Sequence, residues 1–204
     1  MDQTTQFPYV RHLHFMELCT DSLRSIIKRK TLNEFHAKQW FRQVSMGLQY
    51  LHHMGIAHMD IKTANILFIY DSSTGTTTYK LSDYGLSVTS NQIDYFVGTH
   101  AFAAPELARA SMGAPVDTFR CDIYSLGLTI CETLAGKNQH RYAMIAIKKV
   151  TIPNQLGQLT NKNASPRLTI STYPFVHMIN WMLDDNPIHR PTIDELINCQ
   201  WFQT

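Results

Sequence analysis

The sequence predicts a mainly α-helical protein with short β hairpins, and three observations lead to this fold class. Apolar and aromatic residues recur at helical spacing across residues 33–52, and the apolar stretch 122–136 has the length of a core helix. Between them, the strand-like runs 66–70 and 79–82 flank a Gly/Ser/Thr loop, as in a hairpin. With 204 residues and 44% hydrophobic content the chain can bury one good core, so we expect one domain or one large lobe.

The first part of the chain is expected to form one strand and two helices. Residues 13–19 are typical of a buried edge strand that leads into a turn. A short helix is expected over 22–28, because Asp21 can cap it and its basic end suits the helix dipole. The long helix over 33–52 is expected to pack through the residues at helical spacing, which are Phe35, Trp40, Phe41, Val44, Leu48 and Leu51.

The hairpin is expected to carry polar chemistry at its open end. Its loop, residues 71–78, contains Gly75 as a turn signal. Asp60 and Asn65 precede the first strand, and Asp83 follows the second. We therefore expect the hairpin to bring these three oxygen-bearing side chains together.

Shorter helices are expected in the last third of the chain. Residues 137–174 have weak periodicity with interspersed Pro, Gly and Asn, which predicts short helices and irregular loops. The stretch 173–183 is again helical in pattern. Thr192, with Glu195 three positions later, gives a capping-box pattern for a last helix over 193–202.

Composition and charge exclude several classes of protein. A net charge of +2 and one short basic cluster at 28–30 do not form the basic stripe of a nucleic-acid reader. The four cysteines are scattered, which favours free thiols in a reducing compartment over a disulfide framework or a zinc site. No apolar run approaches a membrane span, and residues 1–5 lack the features of a signal peptide. We therefore expect a soluble intracellular protein, nuclear or cytoplasmic.

A short polar loop, residues 58–65, contains the densest set of reactive side chains. Asp60 offers a carboxylate that could accept a proton from an attacking hydroxyl, and Lys62 places a cation two positions later. Asn65 supplies a neutral oxygen suited to a hard metal ion, and Asp83 follows a strand where it can hold a metal. Such a set suits phosphoryl transfer, which depends on positioning and charge neutralisation. A plain polar turn would show the same residues, so the neighbouring motifs decide between the two interpretations.

Five ordered segments together resemble the protein kinase catalytic domain. They are residues 58–65, Asp83-Tyr84-Gly85, the segment 98–106 that ends in Ala-Pro-Glu, the helix start 122–127, and His189-Arg190-Pro191-Thr192. In that family these positions form the catalytic loop, the metal-binding turn, the end of the activation segment, the central helix and a late arginine site. The resemblance implies a protein-kinase-like fold with the C-terminal lobe and the hinge, from which the N-terminal lobe is missing.

The resemblance also implies a division of the chain. Residues 9–204 would form the kinase large lobe. Its parts would be the last small-lobe strand and hinge (9–19), the catalytic loop and following strand (58–70), the activation segment (83–106) and a helical subdomain (122–204). The Gly-rich loop and the small-lobe lysine of kinases have no counterpart in this sequence, so the chain by itself is expected to be a poor enzyme.

The resemblance further implies that the protein uses ATP and Mg2+ and assigns a role to each candidate residue. Asp60 and Lys62 would be catalytic, and Asn65 and Asp83 would hold magnesium. Asp122 would bond the backbone of the catalytic loop. The remaining assignments are Met16, Glu17, Cys19 and Leu67 for the nucleotide; Gly98 and Thr99 for substrate docking; and His58, Tyr84, Glu106, Asp122 and Arg190 for structure, with Arg190 paired to Glu106.

Substrate choice is indicated by smaller patterns. The position of Lys62 relative to Asp60 resembles the serine/threonine kinase pattern. The segments 58–62, 17–19 and 125–129 together resemble the Wee and Myt mitotic-inhibitor kinases, which phosphorylate cyclin-dependent kinases. The expected partner is therefore a protein substrate, either a general serine/threonine substrate or the tyrosine and threonine of a cyclin-dependent kinase in the cell cycle. The oligomeric state is left open.

Two features separate this sequence from many regulated kinases. Met59 occupies the position at which those kinases have an arginine that binds the phosphorylated activation segment through charge-assisted hydrogen bonds. We therefore expect an active form that does not need phosphorylation of the activation segment. Without a small lobe, Met16 and Leu67 would lie on an exposed apolar face. The alternative function is therefore a catalytically inactive, large-lobe-only binding protein that regulates a partner kinase.

Overall fold

A computed structural model describes residues 15–29, 32–110, 113–148 and 172–203. The helices, named α1 to α8 in chain order, are Leu23–Arg29, Glu34–His53, Leu107–Ala110, Thr118–Ala135, His140–Lys148, Tyr173–Met182, Ile193–Ile197 and Gln200–Gln203. The strands, named β1 to β5, are Asp21–Ser22, Ile66–Asp71, Thr76–Leu81, Gln92–Ile93 and Val116–Asp117. They form two antiparallel sheets, β1-β2-β3 and β4-β5, so the mainly helical class with short hairpins is confirmed.

Helices α2 and α4 form the centre of the core, as their apolar patterns predict. Asn33 begins α2 by accepting a hydrogen bond from the His36 amide, which satisfies one of the unpaired donors of the first turn. One face of α2 is buried, including Trp40, Phe41 and Leu48, each 0% exposed. Helix α4 is buried on every side from its fourth residue to its end, so it is a central helix rather than an amphipathic surface helix.

The β2–β3 hairpin positions the polar residues at its open end. Its register runs from Ile66 opposite Leu81 to a tight end at Gly75, whose φ of 69° is left-handed. On the outer edge, the Gln43 side chain of α2 donates to the Thr77 carbonyl and accepts from the Tyr79 amide. The side-chain amide of Gln43 thus bonds the edge of β3 as a neighbouring strand would, and it fixes the hairpin against α2.

The strand predicted over 13–19 is not observed in its described part. Residues 13 and 14 lie outside the described residues, as do positions 9–12 of the predicted hinge segment, and 15–19 have no regular secondary structure. Phe15 and Leu18 are each 94% exposed, so the prediction of a buried edge strand is wrong there. A strand needs a partner for its backbone groups, and in the described part of the chain the edge of β2 pairs with β1 instead.

Two further predictions differ from the structure. Phe35, expected in the core, is 68% exposed, because it lies in the first turn of α2 before the buried face begins. The single last helix is split into α7 and α8 at Asn198, whose side-chain amide bonds the Asp194 carbonyl and so competes with helix continuation. Of the expected short helices in 137–174, α5 is present, and 149–171 lies outside the described residues. Across the described ranges, none of the helices has the length and apolar character needed to cross a bilayer.

A matched pair of glycine substitutions tests the packing of α4. In Gly127→Ala the new Cβ would lie 2.8 Å from Leu183 Cδ2 and 3.2 Å from Met182 Cβ, in a fully packed core. We expect a loss of about 1–3 kcal/mol in the free energy of unfolding, measured by urea denaturation. In Gly47→Ala on α2 the nearest atom would be 3.9 Å away, so the gain in helix propensity should stabilise the protein by up to about 1 kcal/mol. Equal effects of the two substitutions would contradict the packing described here.

Candidate active site

The carboxylate of Asp122 anchors the polar loop that sequence analysis singled out. Asp122 lies in the first turns of α4 and is 0% exposed. Its oxygens accept the backbone amides of His58 at 2.7 Å and Met59 at 2.8 Å, and His52 Nε2 lies 3.0 Å away. The predicted contact between Asp122 and the loop backbone is therefore confirmed. These bonds hold Met59 in a left-handed conformation, φ 64°, which costs a non-glycine residue about 1 kcal/mol.

Asp60 lies at the centre of a hydrogen-bond network. Lys62 Nζ donates to Asp60 Oδ2 at 2.6 Å, and Asn65 Nδ2 donates to the same oxygen at 2.9 Å. The Thr99 hydroxyl donates to Asp60 Oδ1 at 2.6 Å and accepts from Lys62 Nζ at 2.9 Å. Burial would raise the pKa of Asp60, but hydrogen bonds from Lys62, Thr99 and Asn65 outweigh it and lower the pKa below the usual 3.8. Asp60 is therefore an ionised acceptor at neutral pH.

Gly98 allows the segment that contains Thr99 to approach the polar loop 58–65. Its φ of 102° is left-handed, and a Cβ at this position would lie 2.3 Å from the Met59 carbonyl oxygen. Only glycine satisfies both conditions. The two residues predicted for substrate docking thus lie against the loop, with Thr99 bonded to Asp60 itself.

Hydrogen bonds from neighbouring residues hold the turn that carries Asp83. Ser82 donates to the Asn65 carbonyl from both its amide and its hydroxyl, at 2.9 and 3.0 Å. His58 Nε2 lies 3.0 Å from the Ser82 carbonyl, and the Tyr84 hydroxyl donates to the Leu81 carbonyl at 3.1 Å. His58 and Tyr84, both predicted to be structural, therefore support the two residues that precede Asp83. Asp83 itself has φ 63°, a strained left-handed conformation of the kind that clusters at functional sites.

A cleft of about 810 Å³ opens beside this turn. All four residues predicted to contact a nucleotide, together with Asp83, are among those that line it: Met16, Glu17, Cys19, Leu67 and Asp83. Met16 is 77% exposed, so this side of the cleft is open in the described part of the chain.

Lys80 is a cleft residue that sequence analysis missed. It lines the cleft and pairs with Glu17 at 2.5 Å. In the hairpin register it lies opposite Leu67. Counting residues outward in both directions from the turn at Gly75 pairs Lys80 with Leu67. The sequence therefore contained a signal that could have placed Lys80 in the cleft.

The predicted convergence of Asp60, Asn65 and Asp83 is observed for the first two. Asn65 donates from Nδ2 to both the carbonyl and the carboxylate of Asp60. Asp83 is exposed toward the cleft, and within the described residues no hydrogen bond joins its carboxylate to either partner. The sequence position of Asp83, one residue after Ser82, places its backbone next to Asn65, but its contribution to a shared metal site stays a prediction.

The donor atoms that remain available fit a magnesium nucleotide. Among the described residues, the Asn65 side chain bonds only through Nδ2, which leaves Oδ1 available, and the Asp83 carboxylate makes no hydrogen bond. In the described part of the chain no group of three or more His, Cys, Asp or Glu residues could hold a metal by itself. Mg2+ suits this pattern, because it is usually bound by one or two protein oxygens while water and phosphate complete its shell.

Arg190 and Glu106 form a buried, bidentate ion pair, as predicted. Arg190 Nη1 and Nη2 donate to the two Glu106 oxygens at 2.6 and 2.8 Å, with the side chains 0% and 5% exposed. Arg190 Nε donates to the Asp184 carbonyl, and the guanidinium lies 4.7 Å from the Tyr124 ring centroid. The pair ties the end of segment 83–106 to the C-terminal helices.

Comparison with known proteins gives one family. The model of the protein kinase domain matches residues 6–202. The chain is 30% identical to the probable serine/threonine-protein kinase fhkB of Dictyostelium discoideum and 30% identical to the ovarian-specific serine/threonine-protein kinase Lok of Drosophila melanogaster. It is 27% identical to the hormonally up-regulated neu tumor-associated kinase of Mus musculus. These alignments cover 92%, 90% and 91% of this chain but only 16%, 38% and 25% of the relatives' lengths, so it spans well under half of each.

A double-mutant cycle tests the buried pair. Arg190→Met leaves the Glu106 charge buried and unpaired, so we expect a loss of about 3–5 kcal/mol in the free energy of unfolding, measured by chemical denaturation. Adding Glu106→Gln should recover part of that loss, because the unpaired charge is removed. Arg42→Met, at an exposed arginine, serves as the control and should change stability by less than about 0.5 kcal/mol. Strictly additive effects at 190 and 106 would contradict a coupled pair.

Proposed function

Because the chain belongs to the protein kinase domain family, we propose that it transfers phosphoryl groups from ATP to serine or threonine residues of a protein substrate. The observation that carries this proposal is the arrangement around Asp60: an ionised, hydrogen-bonded carboxylate is joined through Asn65 and then Ser82 to the cleft that Asp83 lines. Relatives named as serine/threonine kinases support the same substrate class.

The residues of the site would divide the chemistry among them. Bound Mg-ATP supplies the γ-phosphoryl group, which passes to the substrate oxygen as its bond to ADP breaks. Asn65 Oδ1 and the Asp83 carboxylate would hold the metal. Asp60 would orient the substrate hydroxyl and accept its proton. Lys62, 2.6 Å from Asp60, would steady the phosphoryl group as it approaches the substrate oxygen.

The low pKa of Asp60 fits orientation better than strong proton abstraction. A weakly basic carboxylate takes the hydroxyl proton late, when the attacking oxygen is already becoming acidic. Thr99 occupies Asp60 Oδ1 with a single hydrogen bond, and a carboxylate oxygen can accept a second. The network would therefore remain intact while a substrate hydroxyl binds.

The finer substrate assignment is also a proposal. The resemblance of segments 58–62, 17–19 and 125–129 to the Wee and Myt kinases favours a cyclin-dependent kinase as substrate. Met59 is 5% exposed and apolar, which supports an active form that needs no phosphate on segment 83–106. We also propose that activity requires a small lobe over the open side of the cleft, where Met16 is exposed.

One observation favours the second candidate function, a binding protein that regulates a partner kinase. Phe15, Met16 and Leu18 are 94%, 77% and 94% exposed, and Met16 lines the cleft. Exposed apolar groups of this size are typical of an interaction surface. A protein of this kind would bind a partner equally well with or without Asp60.

Asparagine at position 60 separates the two candidate functions. In the full reading frame that contains these residues, Asp60→Asn should lower kcat for phosphotransfer to a protein substrate by roughly 10²–10⁴-fold, because the proton acceptor is lost. Binding of Mg-ATP, measured by calorimetry, should change little, because Asn65 and Asp83 are retained.

Gln49→Ala, which removes a hydrogen bond from α2 to Asp194 of α7 and no residue of the candidate site, serves as a control for effects of substitution on stability. Phosphotransfer that is undetectable in the unmodified protein under conditions where Mg-ATP binds would contradict the enzyme and favour the binding protein. Equal kcat values for the unmodified protein and Asp60→Asn would contradict the role of Asp60.

A further inference from the structure

His140, at the start of α5, is a buried histidine that the proposed mechanism does not use. It is 6% exposed, and its ring stacks on Phe102 with centroids 4.6 Å apart and planes 20° from parallel. Its Nε2 lies 2.9 Å from the Ala101 carbonyl oxygen. Both contacts are to the segment that begins at Gly98 and carries Thr99.

The partners of the ring identify its protonation state. A carbonyl oxygen only accepts hydrogen bonds, so His140 Nε2 carries the hydrogen that Ala101 accepts. Nδ1 is buried and has no hydrogen-bond partner among the described residues. A neutral ring fits this environment, because Nδ1 then holds a lone pair. A second proton would create a buried N–H and a charge without an acceptor.

The charged groups around the ring do not remove this penalty. Burial lowers the pKa of His140 below the usual 6.5; the Ala101 carbonyl and Glu132 of α4 act in the opposite direction, and the adjacent Arg141 lowers it further. On the loop itself the nearest titratable residue in sequence is His100, next to Ala101. The neutral-ring contact therefore stabilises the loop fully above pH 6.5, and this contribution is lost as the pH falls below that value.

The loop that His140 contacts reaches the catalytic carboxylate. Thr99, two residues before Ala101, donates to Asp60 Oδ1. The Phe102 amide donates to the Thr99 carbonyl at 2.9 Å, and the Phe102 carbonyl accepts the Ser125 hydroxyl at 2.9 Å. The loop is thus held by α4 through Ser125 and by α5 through His140, with Asp60 at its far end.

We propose that His140 is a positioning residue that fixes the loop 98–102 against Asp60 and releases it when the imidazole takes up a second proton. His140 touches neither substrate nor nucleotide in this proposal and acts through Thr99. The expected effect of His140 on phosphotransfer rests on the proposed function. The expected effect of His140 on the loop is independent of it.

Two substitutions separate the ring from its hydrogen bond. His140→Phe keeps the stacking on Phe102 and removes the donor to Ala101. His140→Gln keeps an N–H donor that can reach the same carbonyl and cannot titrate. His177→Gln, at an exposed histidine of α6, is the matched control. The first readout is amide hydrogen exchange at Phe102 in the 204-residue chain, and the second is KM and kcat for a protein substrate in the full reading frame.

The expected results differ between the variants. At pH 7.5, His140→Phe should speed amide exchange at Phe102 by roughly tenfold, because the Ala101 carbonyl loses its 2.9 Å bond to His140 and keeps only the longer 3.4 Å bond from Arg141. His140→Gln and His177→Gln should stay within about twofold of the unmodified chain. In the enzyme, His140→Phe should raise KM for the protein substrate and leave KM for ATP unchanged.

The pH profile gives a signature that a merely structural role would not produce. As pH falls from 7.5 to 5.5, KM for the protein substrate should rise in the unmodified enzyme and stay flat in His140→Gln. Asp60 does not titrate in this range, because its pKa lies below 3.8. The part of the acid limb that His140→Gln removes is therefore attributable to His140.

Two results would overturn the positioning role of His140. Unchanged exchange at Phe102 in His140→Phe, or an acid limb that persists in His140→Gln, would overturn the proposal. If His140→Phe does not fold, loop exchange in His140→Gln relative to the unmodified chain at pH 5.5 decides, and equal rates would overturn it. If phosphotransfer is absent from the unmodified enzyme, the proposed function fails, while the exchange data still test the positioning role.

Discussion

The geometry of the candidate active site depends on one buried carboxylate. Asp122 is fully buried on the central helix and accepts two successive backbone amides of the polar loop 58–65, from His58 and Met59. These bonds offset the cost of the left-handed conformation at Met59. That conformation sets the direction of the chain at Asp60, the next residue. A carboxylate with two amide donors and a histidine beside it can remain in the core, where an unpaired charge could not.

The remaining parts of the site are fitted to this fixed loop at close range. The Gly98 backbone lies against the Met59 carbonyl, Thr99 bonds Asp60, and Ser82 bonds the carbonyl of Asn65. Segments distant in sequence therefore meet through hydrogen bonds that the chain itself supplies. Preorganisation of this kind suits phosphoryl transfer, in which positioning and charge stabilisation account for most of the rate.

Sequence reasoning succeeded where periodicity or a family motif dominates, and failed where tertiary partners decide. The helical pattern of α2 and α4, the β2–β3 hairpin, the capping box at Thr192 and the Arg190–Glu106 contact were all predictable. Residues 15–19 look like a strand by composition but have no strand partner in the described part of the chain. His140 could not be found from sequence, because its burial depends on how α5 packs against a loop about 40 residues earlier.

We propose that this anchored frame presents Asn65 and Asp83 to a magnesium nucleotide in the cleft. The most direct measurement is a structure of the protein with Mg2+ and a non-hydrolysable ATP analogue. The account predicts metal density about 2.1 Å from Asn65 Oδ1 and from a carboxylate oxygen of Asp83, with the adenine beside Met16 and Leu67. A nucleotide bound elsewhere, or an Asp83 carboxylate that remains in solvent while the metal is bound, would contradict it.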